Sequence, residues 1–398
     1  MPSVVVVGIS ADGALADPEL VVAPGTVVIG APRHLALLPD LPDQVRLPLP
    51  TPLRTGLLHL VDEHRAGPLV VLASGDPLVS GIGSTLIDLL GPDQVAIIPA
   101  VSSLALARAE LRWPAESHAV VSVVGREVAL VGRELAPARR VLVLAADEDT
   151  PRLLGELLVA AGFGGSLVHV LGNLGTAAAS HDTLLGAALA TTEAGFPRLA
   201  IVAIECLGAP VGSWVAGLPD DAFEHDGQLT KRDLRACALA RLAPVPGEHL
   251  WDVGAGAGSV GIEWMRAHPA CTATAVEADG DRVARITRNA ARLGVPGLVV
   301  VHGHAPGALT DLDAPDAVFI GGGATAPGVV PACLAALRPA GRLVAHGVTL
   351  ETEQLLAALY AEHGGELTRV AVETSAPVGS FTGWTPARTV TQWAYLRG

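Results

Sequence analysis

Aromatic residues are scarce in this chain of 398 residues, at 3%, although half of all residues are hydrophobic. The cores must therefore be built from Val, Leu and Ala. Lysine is scarcer still, since Lys231 is the only lysine among 26 basic residues. This excludes a lysine as general base or Schiff-base partner at every other position. A formal net charge of −14 argues against a general nucleic-acid binder, which would carry a basic surface.

Cysteine is also rare, and the four cysteines form no C-x-x-C pair. We therefore expect neither a disulfide framework nor a zinc knuckle, and no bound metal. No apolar run approaches the ~20 residues that span a bilayer. The opening MPSVVVVGIS lacks the basic segment and long apolar segment of a signal peptide. These absences predict a protein of the reducing cytoplasm that does not bind membranes.

Short β-branched runs alternate with longer segments rich in Ala, Leu and Arg. Continuous apolar strands separated by helix-length segments predict parallel sheets covered on both faces, and hence an α/β protein. The predicted strands are residues 4–7, 26–29, 69–73, 95–98, 120–124, 141–145, 167–171, 199–204, 250–253, 272–276, 298–301, 317–320 and 342–345.

Composition also predicts how the chain is divided. A segment rich in Gly, Pro and acidic residues predicts a linker at 207–222, between a first domain at 1–206 and a second at 223–398. A weaker break near 112–118 divides the first domain into two lobes. The two domains share no motif, which indicates a fusion of different domains.

A glycine loop is the clearest ligand motif of the second domain. Asp252 precedes Gly254, Gly256 and Gly258 between a predicted strand and a predicted helix, an arrangement that brings backbone N–H groups close to a ligand. The run also contains G-x-G-x-x-G, so a dinucleotide site is the first alternative. The position of Asp252 favours S-adenosyl-L-methionine, because methyltransferases place such an acidic group towards the amino-acid portion of this cofactor.

Three further strand ends support this cofactor. Glu277 ends the next strand, where a carboxylate can accept hydrogen bonds from both ribose hydroxyls, although nicotinamide sites share that feature. His304 and Ala305 follow the third strand, where adenine is usually held. Glycines 321–323 end the fourth, beside the expected methyl group. A degenerate fold without a ligand is the remaining alternative. Positioning alone supplies much of the catalysis of a methyl transfer, so the lack of a Ser-His-Asp or metal cluster is consistent with this prediction.

The second domain resembles a known family. The segments FEHDGQLTKRDLR, DVGAGAGSVGIEW and DAVFIGGG resemble the C-terminal domain of the precorrin-6Y C5,15-methyltransferases (decarboxylating), a family of the corrin pathway. HGVTLET and SAPVGSFTGWTPARTVTQW match as well, so the resemblance covers about 223–398. It implies a two-lobed tetrapyrrole methylase domain that methylates C5, then a Rossmann-like domain that methylates C15 and removes the ring C acetate carboxyl in cobalamin biosynthesis. It also implies a homo-oligomer.

The first domain resembles the tetrapyrrole methylase superfamily through its opening VVGISADG, the loop ASGDPLVSG and the segment PAVSSL. By motif, Gly75, Asp76 and Val79 in one loop, with Ser102 and Ser103 in the other, would line a second cofactor site. The usual opening G-x-G-P-G lacks its proline here, since this chain has GISADG. A simple turn around the Asp-Pro pair is the alternative.

A cluster of polar residues opens a predicted helix in the second domain and is a candidate substrate site. Its members are Thr230, Lys231, Arg232 and Arg235. With Thr230 as N-cap, a solvated helix start is the alternative. The resemblance implies a tetrapyrrole with many acetate and propionate arms, which charge-assisted hydrogen bonds would orient. His225 and Asp226 are candidate catalytic residues that would handle a proton during decarboxylation, or else polar linker residues.

Two other functions remain open at this point. One is a bifunctional methyltransferase that acts on another tetrapyrrole, and the other is a non-catalytic protein that binds S-adenosylmethionine or a corrinoid. The motifs are compatible with a ring that carries cobalt and with one that does not. Phe381 and Trp384 are predicted as core residues in preference to a wall that stacks on the ring.

Overall fold

The structure, a computed structural model, describes residues 3–41, 43–208 and 214–398. The chain divides into two compact units: Met1–Arg126 with Ala138–Gly208, and Glu127–Pro137 with Ala209–Gly398. Residues 209–213 of the predicted linker lie outside the described residues, and the boundaries at 206 and 223 remain a prediction. Within the described ranges, no helix is both long enough and apolar enough to cross a membrane.

A parallel sheet forms the first lobe of the first unit, with strand order β3-β2-β4-β1-β5. Its strands are β1 (Val4–Ile9), β2 (Val27–Gly30), β3 (Arg46–Pro48), β4 (Leu69–Ser74) and β5 (Val95–Ile98). The helices are α1 (Pro18–Val22), α2 (Pro32–Leu35), α3 (Leu53–Glu63), α4 (Ile82–Leu90) and α5 (Ser103–Leu111). Val6 and Val71 belong to one buried cluster and Val7 and Val70 to another, because side chains alternate along a strand and both faces are covered.

A mixed sheet forms the second lobe, with order β6-β7-β10-β8-β9. Its strands are β6 (Ala119–Ser122), β7 (Arg140–Leu144), β8 (Leu167–Gly172), β9 (Ser180–Leu185) and β10 (Ala200–Glu205), and its helices are α6 (Thr150–Ala160) and α7 (Gly186–Thr191). Only β6 and β7 pair in parallel. The prediction of a parallel sheet is wrong here, because apolar runs report burial of both faces and carry no information on strand direction. The polar edge strand β9 was not predicted.

The second unit is built on a sheet of order β13-β12-β11-β14-β15-β19-β16. Its strands are β11 (His249–Val253), β12 (Thr272–Glu277), β13 (Val299–His302), β14 (Ala317–Ile320), β15 (Arg342–Gly347), β16 (Glu366–Val370) and β19 (Val390–Leu396). The helices are α8 (Arg232–Leu242), α9 (Ser259–Ala267), α10 (Gly280–Arg292), α11 (Val329–Ala336) and α12 (Leu350–His363). The five strands from β13 to β15 are parallel, and β19 is antiparallel to both neighbours. The Rossmann-like order reverses between β11 and β14, and ligands bind outside the carboxyl ends of strands at such a point.

A two-stranded hairpin, β17 (Glu373–Val378) and β18 (Phe381–Pro386), precedes β19. Phe381 is 80% exposed and Trp384 is 72% exposed. The prediction that both are core residues is therefore wrong, because the two strands of this hairpin pair with each other and not with the large sheet.

Candidate active site

A cavity of about 680 Å³ opens in the second unit at the carboxyl ends of its parallel strands. Its wall includes the segment before α8, the glycine loop after β11, and residues at the ends of β12 to β15. Pockets of roughly 300–1,000 Å³ hold small molecules and cofactors. The cavity is therefore the candidate active site, at the edge of the sheet where the sequence predicts it.

The glycine loop forms one wall. Gly254 and Gly256 line the cavity, and both have positive φ, at 68° and 60°. A Cβ on Gly254 would lie 2.8 Å from the carbonyl oxygen of Gly322, so that only glycine allows the two loops to approach this closely. Gly258 (φ 75°) does not line the cavity; it packs against Ile286, where a Cβ would lie 2.7 Å from a methyl carbon.

Glu277 at the end of β12 faces the cavity and is 6% exposed. Its Oε2 accepts the N–H of Gly256 at 2.8 Å, and its Oε1 accepts the N–H groups of Ala278 and Asp279, each at 3.0 Å. A carboxylate offers about four lone-pair sites. Three backbone hydrogen bonds therefore leave it room for one ligand hydroxyl, while it also holds the glycine loop in place.

Asp252 lies beneath the loop, 1% exposed, and is absent from the described cavity wall. Its Oδ2 accepts the N–H of Gly261 at 2.9 Å, which ties β11 to the first turn of α9. Burial, with the nearby charge of Glu277, raises the pKa of this carboxyl to about 7, and the Gly261 bond opposes the shift. The predicted contact of Asp252 with the cofactor remains a prediction. The structure gives it a role in positioning the loop and the helix.

Two other predicted regions meet at the cavity. His304 and Ala305, after β13, line it, as do glycines 321–323 after β14. A Cβ on Gly322 or Gly323 would have no described atom within 4 Å, so these glycines border open space.

Of the residues predicted to bind substrate, Thr230 and Lys231 line the cavity. The side chain of Lys231 is 52% exposed, with Nζ 3.7 Å from Asp220. Arg232 is exposed and is not part of the wall. The helix begins at Arg232 with Lys231 as its N-cap, so the prediction of Thr230 as N-cap is wrong by one residue.

The predicted cofactor loops of the first unit also meet. Gly75 (φ 58°) approaches Ser102 so closely that a Cβ on it would lie 2.7 Å from the Ser102 Cα. The Asp76 carboxylate accepts the N–H of Leu78 at 2.9 Å, and the backbone carbonyl of Asp76 accepts the N–H of Val79 at 3.1 Å. The Ser102 hydroxyl caps α5, which begins at the exposed Ser103. The geometry brings the two loops together; cofactor binding there remains a prediction.

Two stretches of the chain match known families. Residues 15–186 match Tetrapyrrole (Corrin/Porphyrin) Methylases, and residues 221–397 match the Precorrin methyltransferase domain. The chain is also 43% identical to the precorrin-6Y C(5,15)-methyltransferase (decarboxylating) of Sinorhizobium sp, over 100% of this chain and 97% of the relative. The chain belongs to the precorrin-6Y C5,15-methyltransferase (decarboxylating) family.

Some relatives match only about half of the chain. The probable cobalt-precorrin-6B C(15)-methyltransferase (decarboxylating) of Pyrobaculum calidifontis is 34% identical over 173 residues, 42% of this chain and 88% of the relative. A crystal structure of the C-terminal domain of precorrin-6Y C5,15-methyltransferase from Rhodobacter capsulatus is 45% identical and covers 46% of this chain and 100% of that chain, with a TM-score of 0.44.

S-adenosylmethionine is the cofactor of the precorrin-6Y C5,15-methyltransferases, and the cavity fits it. The loop at Gly254 and Gly256 places backbone at the cavity wall where a Cβ would collide with other backbone. Glu277 has acceptor capacity left for a ribose hydroxyl, and His304 and Ala305 lie on the wall at the end of the neighbouring strand. These residues would hold the cofactor.

The position of Arg235 does not match the substrate contact that the sequence predicts for it. Its side chain is fully buried, and its Nε donates to Glu263 at 2.6 Å. Its other nitrogens donate to Asp220 and to the carbonyls of Thr230 and Leu218. A guanidinium with these partners holds the segment before α8 against α9. The structure therefore supports a structural role for Arg235.

His225 and Asp226 are exposed and do not belong to the cavity wall. Asp226 pairs with Arg282 at 2.9 Å and with Arg285 at 3.2 Å. The hydrogen bond from Arg282 is the main reason that its pKa lies far below the ordinary value. Asp226 is therefore held in its ionised form, and proton handling by His225 or Asp226 remains a prediction. The Nδ1 of His225 accepts the N–H of Gly227 at 3.0 Å, a local turn contact.

Sequence reasoning missed three wall residues with basic side chains: Arg282, His346 and Arg388. His346 is 9% exposed, at the end of β15. It falls in HGVTLET, a segment that carries the family resemblance, and this was the only available signal. Arg388 falls in SAPVGSFTGWTPARTVTQW, which likewise carries the resemblance.

Proposed function

We propose that this chain transfers methyl groups from S-adenosylmethionine to C5 and C15 of a precorrin-6 type ring and removes the carboxyl group of its ring C acetate, in cobalamin biosynthesis. The observation that carries the proposal is the match over the whole chain to a relative with this activity in its name. The cavity supports it, because it combines a cofactor wall with cationic side chains.

The substrate would carry many carboxylate arms. Basic side chains line the cavity, although the whole chain is acidic. Lys231, Arg282 and Arg388 lie on its wall, against the single carboxylate of Glu277. Asp226 lies 2.9 Å from Arg282 and offsets part of its charge, whereas the acidic partner of Lys231, Asp220, is farther away at 3.7 Å. Lys231 and Arg388 are thus the better candidates to hold arms of the ring, through charge-assisted hydrogen bonds. Thr230, beside Lys231, can add a hydroxyl contact.

We propose further that the two units divide the reactions, with C5 methylation in the first and C15 methylation with decarboxylation in the second. A relative named for C15 methylation and decarboxylation alone corresponds to 42% of this chain, which supports separable activities. When bound, the cofactor supplies an activated methyl group on a sulfonium whose C–S electron pair remains on sulfur. The protein must then align the ring carbon, exclude water and manage protons.

The test uses the full chain, a reduced precorrin-6 ring and methyl-labelled S-adenosylmethionine. We expect the product to gain two labelled methyl groups and to lose one carbon dioxide, as measured by mass spectrometry. Gly75→Ala should abolish label at C5 alone, and Gly256→Ala should abolish label at C15 alone, because each Cβ would collide with backbone in one unit. Unlabelled product of unchanged mass contradicts the function. Loss of both methylations in either variant, with its fold intact by circular dichroism, contradicts the division.

We also propose a cytoplasmic homo-oligomer. Cys237, Cys271 and Cys333 are free thiols, which supports a reducing compartment. Sedimentation of the purified chain tests the oligomer, and a single species of monomer mass would contradict it.

A further inference from the structure

His346 carries a buried imidazole on the wall of the cavity, and neither cofactor binding nor substrate binding accounts for it. It lies one residue beyond Ala345, whose partner on β14 is Ile320, and so beside the glycine turn that starts at Gly321. Carboxyl ends of neighbouring parallel strands meet at one edge of the sheet. His346 therefore lies among the residues that line the proposed reaction space.

Two contacts fix the ring. Nε2 lies 2.9 Å from Oε1 of Gln392, a 2% exposed residue of β19. The ring of Phe319 meets the imidazole edge to face, with centroids 5.1 Å apart. Because Oε1 is an acceptor, Nε2 must carry the hydrogen. Nδ1 then has a lone pair, and the described residues provide no hydrogen-bond partner for it.

The proposed reaction leaves one proton to be taken up and one to be supplied. Methylation of the C15 carbon is completed when its C–H bond breaks, with the electron pair returning to the conjugated ring and the proton passing to a base. Decarboxylation breaks the bond between the arm methylene and its carboxyl group, and the electron pair enters the same conjugated ring. The arm becomes a methyl group when its carbon takes up a proton. The sum is balanced without an oxidant or a reductant.

We propose that Nδ1 of His346 accepts the proton from C15 and supplies a proton to the arm carbon. This inference rests on the proposed function of the second unit. A fixed Nε2–H tautomer and an open Nδ1 are what such a base needs. Burial lowers the pKa of His346, against the opposing hydrogen bond to Gln392, and so keeps the ring in the neutral form that can accept a proton.

Other charged or titratable groups also line this cavity, and each must be considered in a pH profile. They are Lys231, Glu277, Arg282, His304 and Arg388. Of the residues packed directly on the imidazole, Phe319 and Gln392 do not titrate. The fall in the C15 methylation rate at low pH (the acid limb of the pH profile) is expected to reflect protonation of His346. Substitution of His346 should therefore remove this limb.

The main test is His346→Asn in the full chain with the reduced ring and S-adenosylmethionine. We expect C15 methylation and carbon dioxide release to slow by about 10²–10⁴-fold, the usual contribution of a general acid–base group. C5 methylation should be unchanged, as should the affinity of the chain for S-adenosylhomocysteine measured by calorimetry. His268→Asn is the matched control, since His268 lies outside the described cavity wall and makes a local turn contact with Ala270.

Two further measurements separate a proton carrier from a merely structural histidine. Nitrogen NMR of the ligand-free chain should show the Nε2–H tautomer for His346 and a pKa below the ordinary value. Gln392→Glu should move the acid limb of the C15 rate to higher pH, because a carboxylate beside Nε2 favours the imidazolium. His346→Asn should have no such limb.

An active wild type and an equally active His346→Asn variant would overturn this proposal alone, as would an Nδ1–H tautomer. A wild-type chain that neither methylates C15 nor releases carbon dioxide would contradict the proposed function, and with it the role of His346.

Discussion

The carboxylate of Glu277 accepts the backbone N–H of Gly256 at 2.8 Å, and this bond joins the end of β12 to the glycine loop after β11. The second carboxylate oxygen accepts two N–H groups of its own strand end. One buried side chain thus shapes the loop and also faces the cavity.

Glu277→Gln should weaken cofactor binding in the second unit. The amide keeps one acceptor oxygen but replaces the other with N–H groups, so a charge-assisted bond worth about 1.5–3 kcal/mol is lost, or roughly 10–150-fold in affinity. Calorimetric titration with S-adenosylhomocysteine measures the change. Glu362→Gln is the control, since that side chain is 73% exposed. Unchanged affinity in the Glu277 variant would show that the carboxylate does not support the site.

Asp252 should make the stability of the second unit depend on pH. Its pKa rises from 3.8 to about 7 on folding, so the folded chain keeps a proton that the unfolded chain has lost. The free energy of unfolding therefore falls as pH rises through this window, by about 1.4 kcal/mol per unit.

Asp252→Asn cannot ionise, and its side-chain oxygen can still accept the Gly261 N–H. We expect wild type and variant to be equally stable near pH 4, with the variant more stable by a few kcal/mol at pH 8. Urea unfolding followed by tryptophan fluorescence at several pH values checks this. A difference that does not change with pH would contradict the raised pKa.

The strands with apolar runs (β1, β2, β4–β8 and β10–β15) and the glycine loop could be predicted because they depend on local pattern, whereas β3, β9 and β16–β19 were not predicted. Asp252 lies next to the end of β11, and three alternating glycines follow the strand. The positive φ at Gly254, Gly256 and Gly258 favours that residue type. Contacts between distant segments could not be predicted. Asp226 pairs with Arg282, 56 residues further along the chain, and nothing in EHDGQ indicates this partner.

Lys231 and Arg235 show the same limit at shorter range. The sequence predicts that both residues bind substrate, and a spacing of four residues in a helix would place them on one face. Lys231 is the N-cap, however, with extended backbone at ψ 152°, so helical periodicity does not yet apply to it. Lys231 points to the cavity wall while Arg235 is buried. His346 was missed because it ends an apolar strand, and its partner Gln392 lies 46 residues away.

Arg235→Ala should destabilise the second unit. The substitution leaves Glu263 as a buried charge without its guanidinium partner, which costs about 3–5 kcal/mol. Arg241→Ala is the matched control, because the Arg241–Glu366 pair is exposed and contributes roughly 0–1 kcal/mol. Thermal unfolding of both variants measures the effect. A stable Arg235→Ala variant with a raised KM for the ring would instead favour the substrate contact predicted from the sequence.

Lys231→Met should raise the KM for the ring and leave kcat nearly unchanged, because an arm held equally in ground and transition states contributes uniform binding. Half of the Lys231 side chain is exposed, so solvent screening limits the loss to about tenfold, the lower end for hydrogen bonds to charged groups. Arg232→Met removes a neighbouring exposed charge outside the described cavity wall and should change KM little. The wild-type KM should also rise with salt, more steeply than that of Lys231→Met. Equal effects of Lys231→Met and Arg232→Met would indicate that the general positive potential around the start of α8 attracts the ring, rather than a contact made by Lys231.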